Sequence, residues 1–301
     1  MLKHFETLLS RIRAMSKNPL VNKLMFLASV AYTLLLLFLS RSEILSINWE
    51  AFWRIFIISF LLYLLSLSLQ CINWSLIVDG GLSNFRINSE VFYRSILLQR
   101  IPGGFWHWLG RINLYNEYES LHSNGYNEGV KSANLFEWLL SILTGLSIYF
   151  WTKSSIAGIV ISILCVIIII ILFQRIGQKD HSKLVLPTLT ILIMLVRWGL
   201  GFLTLQLLLN NILYPDIIAP KFVLATWTLS SSIGMATFFL PSGGLVRDFT
   251  LTALLSPTIS IQKVFLLAAE LRVIFLVSDL LSSGINLAIL KVWKVKSKAS
   301  Q

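Results

Sequence analysis

At 301 residues the chain has the length of about two soluble domains, but only 13% of it is charged and 56% is hydrophobic. Soluble domains carry about 25% charged residues, so this composition cannot cover a water-facing surface, and the mean hydropathy of +0.76 places the chain in lipid. The net charge of +11 does not signal nucleic acid: most basic residues fall in short loops and tails between apolar runs, the positive-inside pattern of a membrane protein.

Lys3, Arg11, Arg13, Lys17 and Lys23 precede the first apolar run, and no small-residue cleavage site follows it. That run is therefore read as an uncleaved span, not a removable signal peptide. A spanning helix needs roughly 20 mostly apolar residues. Six segments meet this requirement: 22–40, 54–78, 132–152, 155–174, 186–209 and 260–290. Two further apolar segments are interrupted. Segment 89–118 contains IPGGFWHWLGR, and segment 219–256 contains FLPSGGLVRD. Proline removes a backbone donor and glycine weakens a helix, so both helices are expected to stop there. Unpaired backbone cannot face lipid, so each break must be buried in protein or line a wet cavity. Cys71 and Cys165 lie inside apolar runs and read as small buried hydrophobes, with no zinc spacing.

The N-terminal tail, the loop with Arg175, Lys179 and Lys183, and the tail with Lys291, Lys294, Lys296 and Lys298 are all basic. All three are expected in the cytoplasm of a plasma (inner) membrane protein. This requires both broken segments to be re-entrant hairpins, 89–118 entering from the cytoplasm and 219–256 from outside. Both termini are then cytoplasmic. Pro102 pairs with Pro241, Arg111 with Arg247 and Glu137 with Glu270, at offsets of 139, 136 and 133. The fold expected is all-α: one membrane domain over 1–301, with a first repeat at 20–152 and a second, inverted repeat at 155–290. Inverted repeats with matching broken helices point to a transporter.

Pro102-Gly103-Gly104 and Pro241-Ser242-Gly243-Gly244 each precede a new half-helix, whose free N–H groups suit an anion. The bland alternative is a kink that lets helices cross closely. Arg100, Arg111, Glu137, Arg197, Arg247, Asp248, Glu270, Arg272 and Asp279 lie in or against apolar segments. Each costs about 2.5–3.5 kcal/mol at mid-bilayer on insertion scales. Five arginines face four carboxylates, and an anionic ligand would balance the remainder; the planar guanidinium fork suits phosphate. Against this, Arg247-Asp248 and Glu270-Arg272 can form one ion-pair network pinning the hairpin to the last span. Arg100 and Arg197 can snorkel to an interface and rank behind the other arginines. His107, among Phe105, Trp106 and Trp108, reads as a bystander in an interfacial aromatic belt, with a proton relay as the other reading. Glu117, Glu119 and Glu128 read as a solvated face. HExxH, G-x-S-x-G and P-loop motifs are absent and the four histidines are scattered. No catalytic residue, metal or cofactor is expected.

LQRIPGGFWHWLGR at 98–111 with FEW at 136–138, and LPSGGLVRDFTLTALL at 240–255 with AELR at 269–272, resemble the two halves of the lysylphosphatidylglycerol synthase transmembrane-region family. The resemblance covers nearly the whole chain. It implies a flippase-like membrane domain, with Arg247 and Arg272 at the family's basic positions and Pro241 and Gly243 at its turn. Asp248 departs from the family's usual glutamate, and Ser242 and Gly244-Leu245 depart from its Pro-Gly-Gly-Leu-Gly, so the substrate can differ. No aminoacyl-transferase domain follows the basic tail, so synthesis of a lysyl-lipid is not expected.

The function expected is translocation of a lipid with an anionic phosphate headgroup or of a polyisoprenoid-linked glycolipid. Arg111, Arg247 and Arg272, with Gly103, Gly104, Gly243 and Gly244, would bind the phosphate. Glu137, Asp248 and Glu270 would orient the arginines or couple protons, and Pro102 and Pro241 would break the helices. The alternatives are an integral-membrane transferase using a polyisoprenoid-phosphate donor, or a non-catalytic subunit of a lipid or polysaccharide pathway. Isolated Asp248 and Asp279 count against the transferase, which usually needs aspartates around a metal-bound diphosphate. Partners would be the lipid and, beyond it, lipid- or glycan-synthesis enzymes.

Overall fold

In hydrocarbon a backbone can satisfy its polar groups only within its own segment, so the long apolar runs must coil. A computed structural model describes residues 19–45, 47–96, 106–118, 126–175, 185–213, 218–237 and 243–299, and every regular element among them is a helix. In chain order these are α1 (Pro19–Leu39), α2 (Arg41–Leu45), α3 (Trp49–Asp79), α4 (Phe85–Ile96), α5 (Trp106–Tyr115), α6 (Tyr126–Lys153), α7 (Ser155–Arg175), α8 (Val185–Leu213), α9 (Pro220–Ala236), α10 (Gly243–Leu255) and α11 (Ile261–Ala299). Among the described residues three stretches are long and apolar enough to cross a membrane: Trp49–Asp79, Val130–Lys153 and Pro187–Ile212. Large apolar side chains are exposed along these helices and their neighbours, including Ile57, Leu61 and Leu65 on α3 and Ile163, Leu164 and Ile167 on α7. Apolar side chains exposed along helices of this length fit a membrane protein.

The six segments read as spans correspond to α1, α3, α6, α7, α8 and α11. Their ends differ for local reasons. α3 starts at Trp49, ahead of the expected residue 54, because the Asn48 side chain accepts the Glu50 and Ala51 N–H groups at 3.2 and 3.3 Å. It stops at Gly80, whose φ of 66° is the left-handed conformation only glycine adopts without strain. α11 runs to Ala299, beyond the expected residue 290, since lysine and alanine in the basic tail are good helix formers.

Each interrupted segment is two helices packed on one another, α4 with α5 and α9 with α10. Arg100, Pro102, Gly103, Gly104 and Pro241, on which the two breaks were read, lie outside the described residues. Gly243 and Gly244 open α10.

The core is built around α3 and α8, which make the most extensive packing in the molecule. α6 packs on α3, α5, α7, α8 and α9, and α11 packs on α1, α3, α4, α8 and α10. Close approach is possible where side chains vanish. A Cβ on Gly145 of α6 would stand 2.6 Å from the Trp198 ring of α8 and would also meet the Ser232 hydroxyl of α9.

Candidate anion site

Two arginine centres form where the short helices α5 and α10 meet the long helices that follow them. In the first, Arg111 lies in the second turn of α5, against α6. Its Nη1 donates to Glu137 Oε2 at 2.6 Å and to Asn134 Oδ1 at 3.2 Å. Asn134 donates from Nδ2 to the Val130 carbonyl at 3.1 Å, which turns its own carbonyl oxygen toward the arginine. Gln70 of α3 donates to the other Glu137 oxygen at 3.1 Å. The guanidinium lies over the Trp74 ring at 4.0 Å and 5.2 Å from Phe92. Arg111 is 2% exposed and Glu137 5%. This is a pair taken fully out of solvent, where removing one partner costs far more than the pair itself contributes.

Arg197 lies on α8, which packs against α3 and α6, the helices that carry Gln70 and Glu137. Its Nη1 donates to the Met194 sulfur at 3.5 Å, a weak acceptor. The Nε–H groups of Arg111 and Arg197 are both buried without a hydrogen-bond acceptor. Such unmet donors cost free energy unless a ligand takes them.

The second centre uses α10 and α11. Asp248, buried on α10, accepts from Arg247 Nε at 3.0 Å and Nη2 at 2.8 Å on one oxygen. Its other oxygen accepts from Arg272 Nε of α11 at 2.6 Å. Arg247 lies 5.1 Å from the Phe275 ring and Arg272 4.5 Å from the Tyr32 ring of α1. Both side chains remain 15% exposed. The expected Arg272–Glu270 pairing is absent. Glu270 is buried and neither of its carboxylate oxygens is hydrogen-bonded, so its expected role in orienting an arginine is corrected. Residues two apart on a helix point in nearly opposite directions, and Arg272 turns to α10 instead.

The two hairpins are tied together by the side chain next to Glu137. Trp138 donates from Nε1 to the Met235 carbonyl at 2.8 Å, at the end of α9, and meets Trp108 of α5 edge-on at 6.2 Å. One indole therefore touches the first turn of α5 and satisfies a carbonyl at the end of α9. His107 packs edge-on against Trp108 at 6.2 Å. Among the described residues no group of three His, Cys, Asp or Glu side chains is placed to hold a metal ion.

Gln70, Asn134, Tyr63 and Tyr32 were not singled out in the sequence. Their only signal was a polar or phenolic group inside an otherwise apolar run. Comparison with protein-family models, with curated proteins and with solved structures finds no match for this chain. The resemblance to the lysylphosphatidylglycerol synthase membrane region rests on the motif residues alone.

Proposed function

We propose that the protein is a membrane lipid translocase that moves a lipid with an anionic phosphate headgroup. The observation that carries this reading is the composition of the two centres. Asp248 accepts from two arginines, Arg247 and Arg272, both of which stay partly exposed, and at the other centre Arg111 pairs with Glu137 while its buried Nε–H has no acceptor. A purely structural clasp needs no surplus cation, whereas a guanidinium with spare donors suits a phosphate. Stacking on Trp74, Phe275 and Tyr32 holds the guanidinium faces and leaves their edges for such a ligand.

The proposed architecture is six spans and two re-entrant hairpins, arranged as an inverted repeat in the plasma membrane with both termini cytoplasmic. The helix packing supports the repeat. Exchanging α1 with α7, α3 with α8, α4 with α9, α5 with α10 and α6 with α11 turns α6–α9 into α11–α4, α6–α7 into α11–α1, and α9–α10 into α4–α5. All of these are packed pairs. The same exchange leaves α3–α8 unchanged, as expected of a pair at the proposed pseudo-axis. Movement would be a rocking of one half against the other around it.

The Arg247–Asp248–Arg272 cluster also fits a clasp that only pins the hairpin to the last span, because Asp248 accepts from both arginines. Reconstituted vesicles separate the readings. Arg247→Ala is expected to abolish movement of labelled phosphatidylglycerol between leaflets while the protein inserts and purifies normally. Arg247→Lys is expected to restore only part of it, since an ammonium keeps the charge and loses the fork. Unchanged transport in Arg247→Ala, or restored transport in Arg247→Ala with Asp248→Ala, would leave only the clasp.

A further inference from the structure

Arg272 of α11 reaches two helices that have no extensive packing on each other. Its guanidinium lies 4.5 Å from the Tyr32 ring of α1, and its Nε donates to Asp248 of α10 at 2.6 Å. α1 packs on α2 and α11, and α10 packs on α9 and α11. α11 is the one helix on which both α1 and α10 are seated. Leu36 seats α1 on Ala268 and Ala269, one turn before Arg272. α1 and α10 are thus the walls of a gap floored by α11, and Arg272 lies across it.

The edges of the gap are apolar. Leu35 and Leu39, three and seven residues after Tyr32 and so on its face of α1, are 50% and 43% exposed. Phe249 of α10, next in the chain to Asp248, is 63% exposed. Exposed side chains of this kind suit acyl chains, not water. The floor is different. Asp248 takes the Nε of Arg272 and the Nε and Nη2 of Arg247. It leaves the Nη1–Nη2 fork of Arg272 and the Nη1 of Arg247 for another acceptor, and both side chains stay 15% exposed. That fork is the edge that takes a phosphate through two parallel hydrogen bonds. Glu270 does not share the Arg272 face of α11, since residues two apart on a helix do not face each other.

We propose that the gap between α1 and α10 is a lateral portal, through which a phospholipid reaches Arg272 and Arg247 sideways from the bilayer. The phosphate is taken by the free guanidinium edges, and the acyl chains stay outside against Leu35, Leu39 and Phe249. The proposal rests on the translocase reading and adds the route and the form of the ligand, a headgroup still joined to its chains. A charged headgroup is costly in hydrocarbon, and a portal floored by guanidinium groups lets it enter beside its counter-charge. Tyr32 is a positioning residue: its ring holds the face of Arg272 and leaves the fork open.

The test uses the whole protein in dodecyl maltoside micelles, which carry no phosphate. The probe is phosphatidylglycerol with a photoreactive diazirine in one acyl chain, and adducts are mapped by peptide mass spectrometry. Ile163 of α7, 54% exposed, reports chance contact with lipid. Adducts at Leu35, Leu39 and Phe249 are expected in excess over Ile163. Arg272→Gln should weaken that excess by about tenfold to a hundredfold, the worth of a charge-assisted hydrogen bond, and leave Ile163 unchanged. It should fold, because Asp248 keeps both bonds from Arg247; Arg272→Lys should recover part of the excess. Tyr32→Ala should lower it about twofold to fivefold, the worth of a cation–π contact, and Tyr32→Phe should not. Diacylglycerol with the same photoreactive chain should give no excess. Equal labelling of the gap and Ile163, an unchanged pattern in Arg272→Gln, or an equal excess with diacylglycerol would overturn the portal. Glycerophosphoglycerol, the same headgroup without acyl chains, should compete far more weakly than phosphatidylglycerol; equal competition would make the ligand a soluble phosphodiester and overturn the lipid assignment. Translocation is measured separately in vesicles. A labelled gap without transport would end the translocase reading and leave the portal standing, whereas transport without a labelled gap would do the reverse.

Discussion

Arg272 donates its Nε–H to Asp248 at 2.6 Å, across from α11 to α10, on the carboxylate oxygen that Arg247 does not use. Asp248 is therefore held twice, and either arginine can be removed without stranding it. Glu137 has no such reserve. Arg111 is its one hydrogen-bonded cation, with Gln70 supplying a neutral bond on the other side.

That difference predicts opposite stabilities for two similar substitutions. Arg111→Ala leaves a buried carboxylate without its hydrogen-bonded cation and should cost about 3–5 kcal/mol. Arg247→Ala should cost no more than about 2 kcal/mol, the loss of charge-assisted hydrogen bonds at a partly exposed site. Thermal unfolding in detergent measures both. Equal destabilisation would mean that Asp248 depends on Arg247 after all, and the clasp would become the better account of that centre.

The two glutamates at matching positions should also part company. Neither Glu270 oxygen is hydrogen-bonded, so Glu270→Gln should change stability by less than about 1 kcal/mol, the range of near-neutral substitutions. Glu137→Gln strips Arg111 of its carboxylate in a sealed site and should cost about 3–5 kcal/mol. A large loss in Glu270→Gln would reveal a partner that the described geometry lacks.

The helices were readable because long apolar runs in lipid have one solution. The charged members of the site were readable for a related reason: an arginine or aspartate inside such a run is expensive and stands out. Their partners did not. Gln70 and Asn134 are uncharged polar residues of the kind that recur at any helix contact. Tyr63 meets Asp279 across a sequence separation of 216 residues, for which no local pattern exists. Adjacency misled at Glu270, because proximity along a helix is not proximity on its face.

Gly145 offers a test of the packing itself. A methyl group there would press on the Trp198 ring at 2.6 Å, and that ring is buried. Gly145→Ala should therefore cost about 1–3 kcal/mol as over-packing. Gly199, whose Cβ would meet nothing within 4 Å, is the control and should tolerate alanine. Similar melting temperatures for the two variants would contradict the close contact of α6, α8 and α9.

The proposed topology is checked by labelling single cysteines in a chain without Cys71 and Cys165. Leu82, Ser154 and Ser256 are exposed at the ends of helices. A cysteine at Leu82 should react only from the cytoplasm, and those at Ser154 and Ser256 only from outside. Reaction of the Ser256 position from the cytoplasm would remove the outer hairpin and with it the inverted repeat.

α3 also sets a timetable for the ribosome. Its buried face, with Leu67, Cys71 and Trp74, is covered by α4, α6, α8 and α11, every one of them made after it. α8, its largest contact, begins at Val185, more than a hundred residues behind Asp79. At about 5–20 residues per second that is a wait on the order of ten seconds. Through that interval a helix already inserted carries Gln70 toward a partner that does not yet exist, so the nascent chain passes through a stage at which quality-control proteases can read it as an orphan.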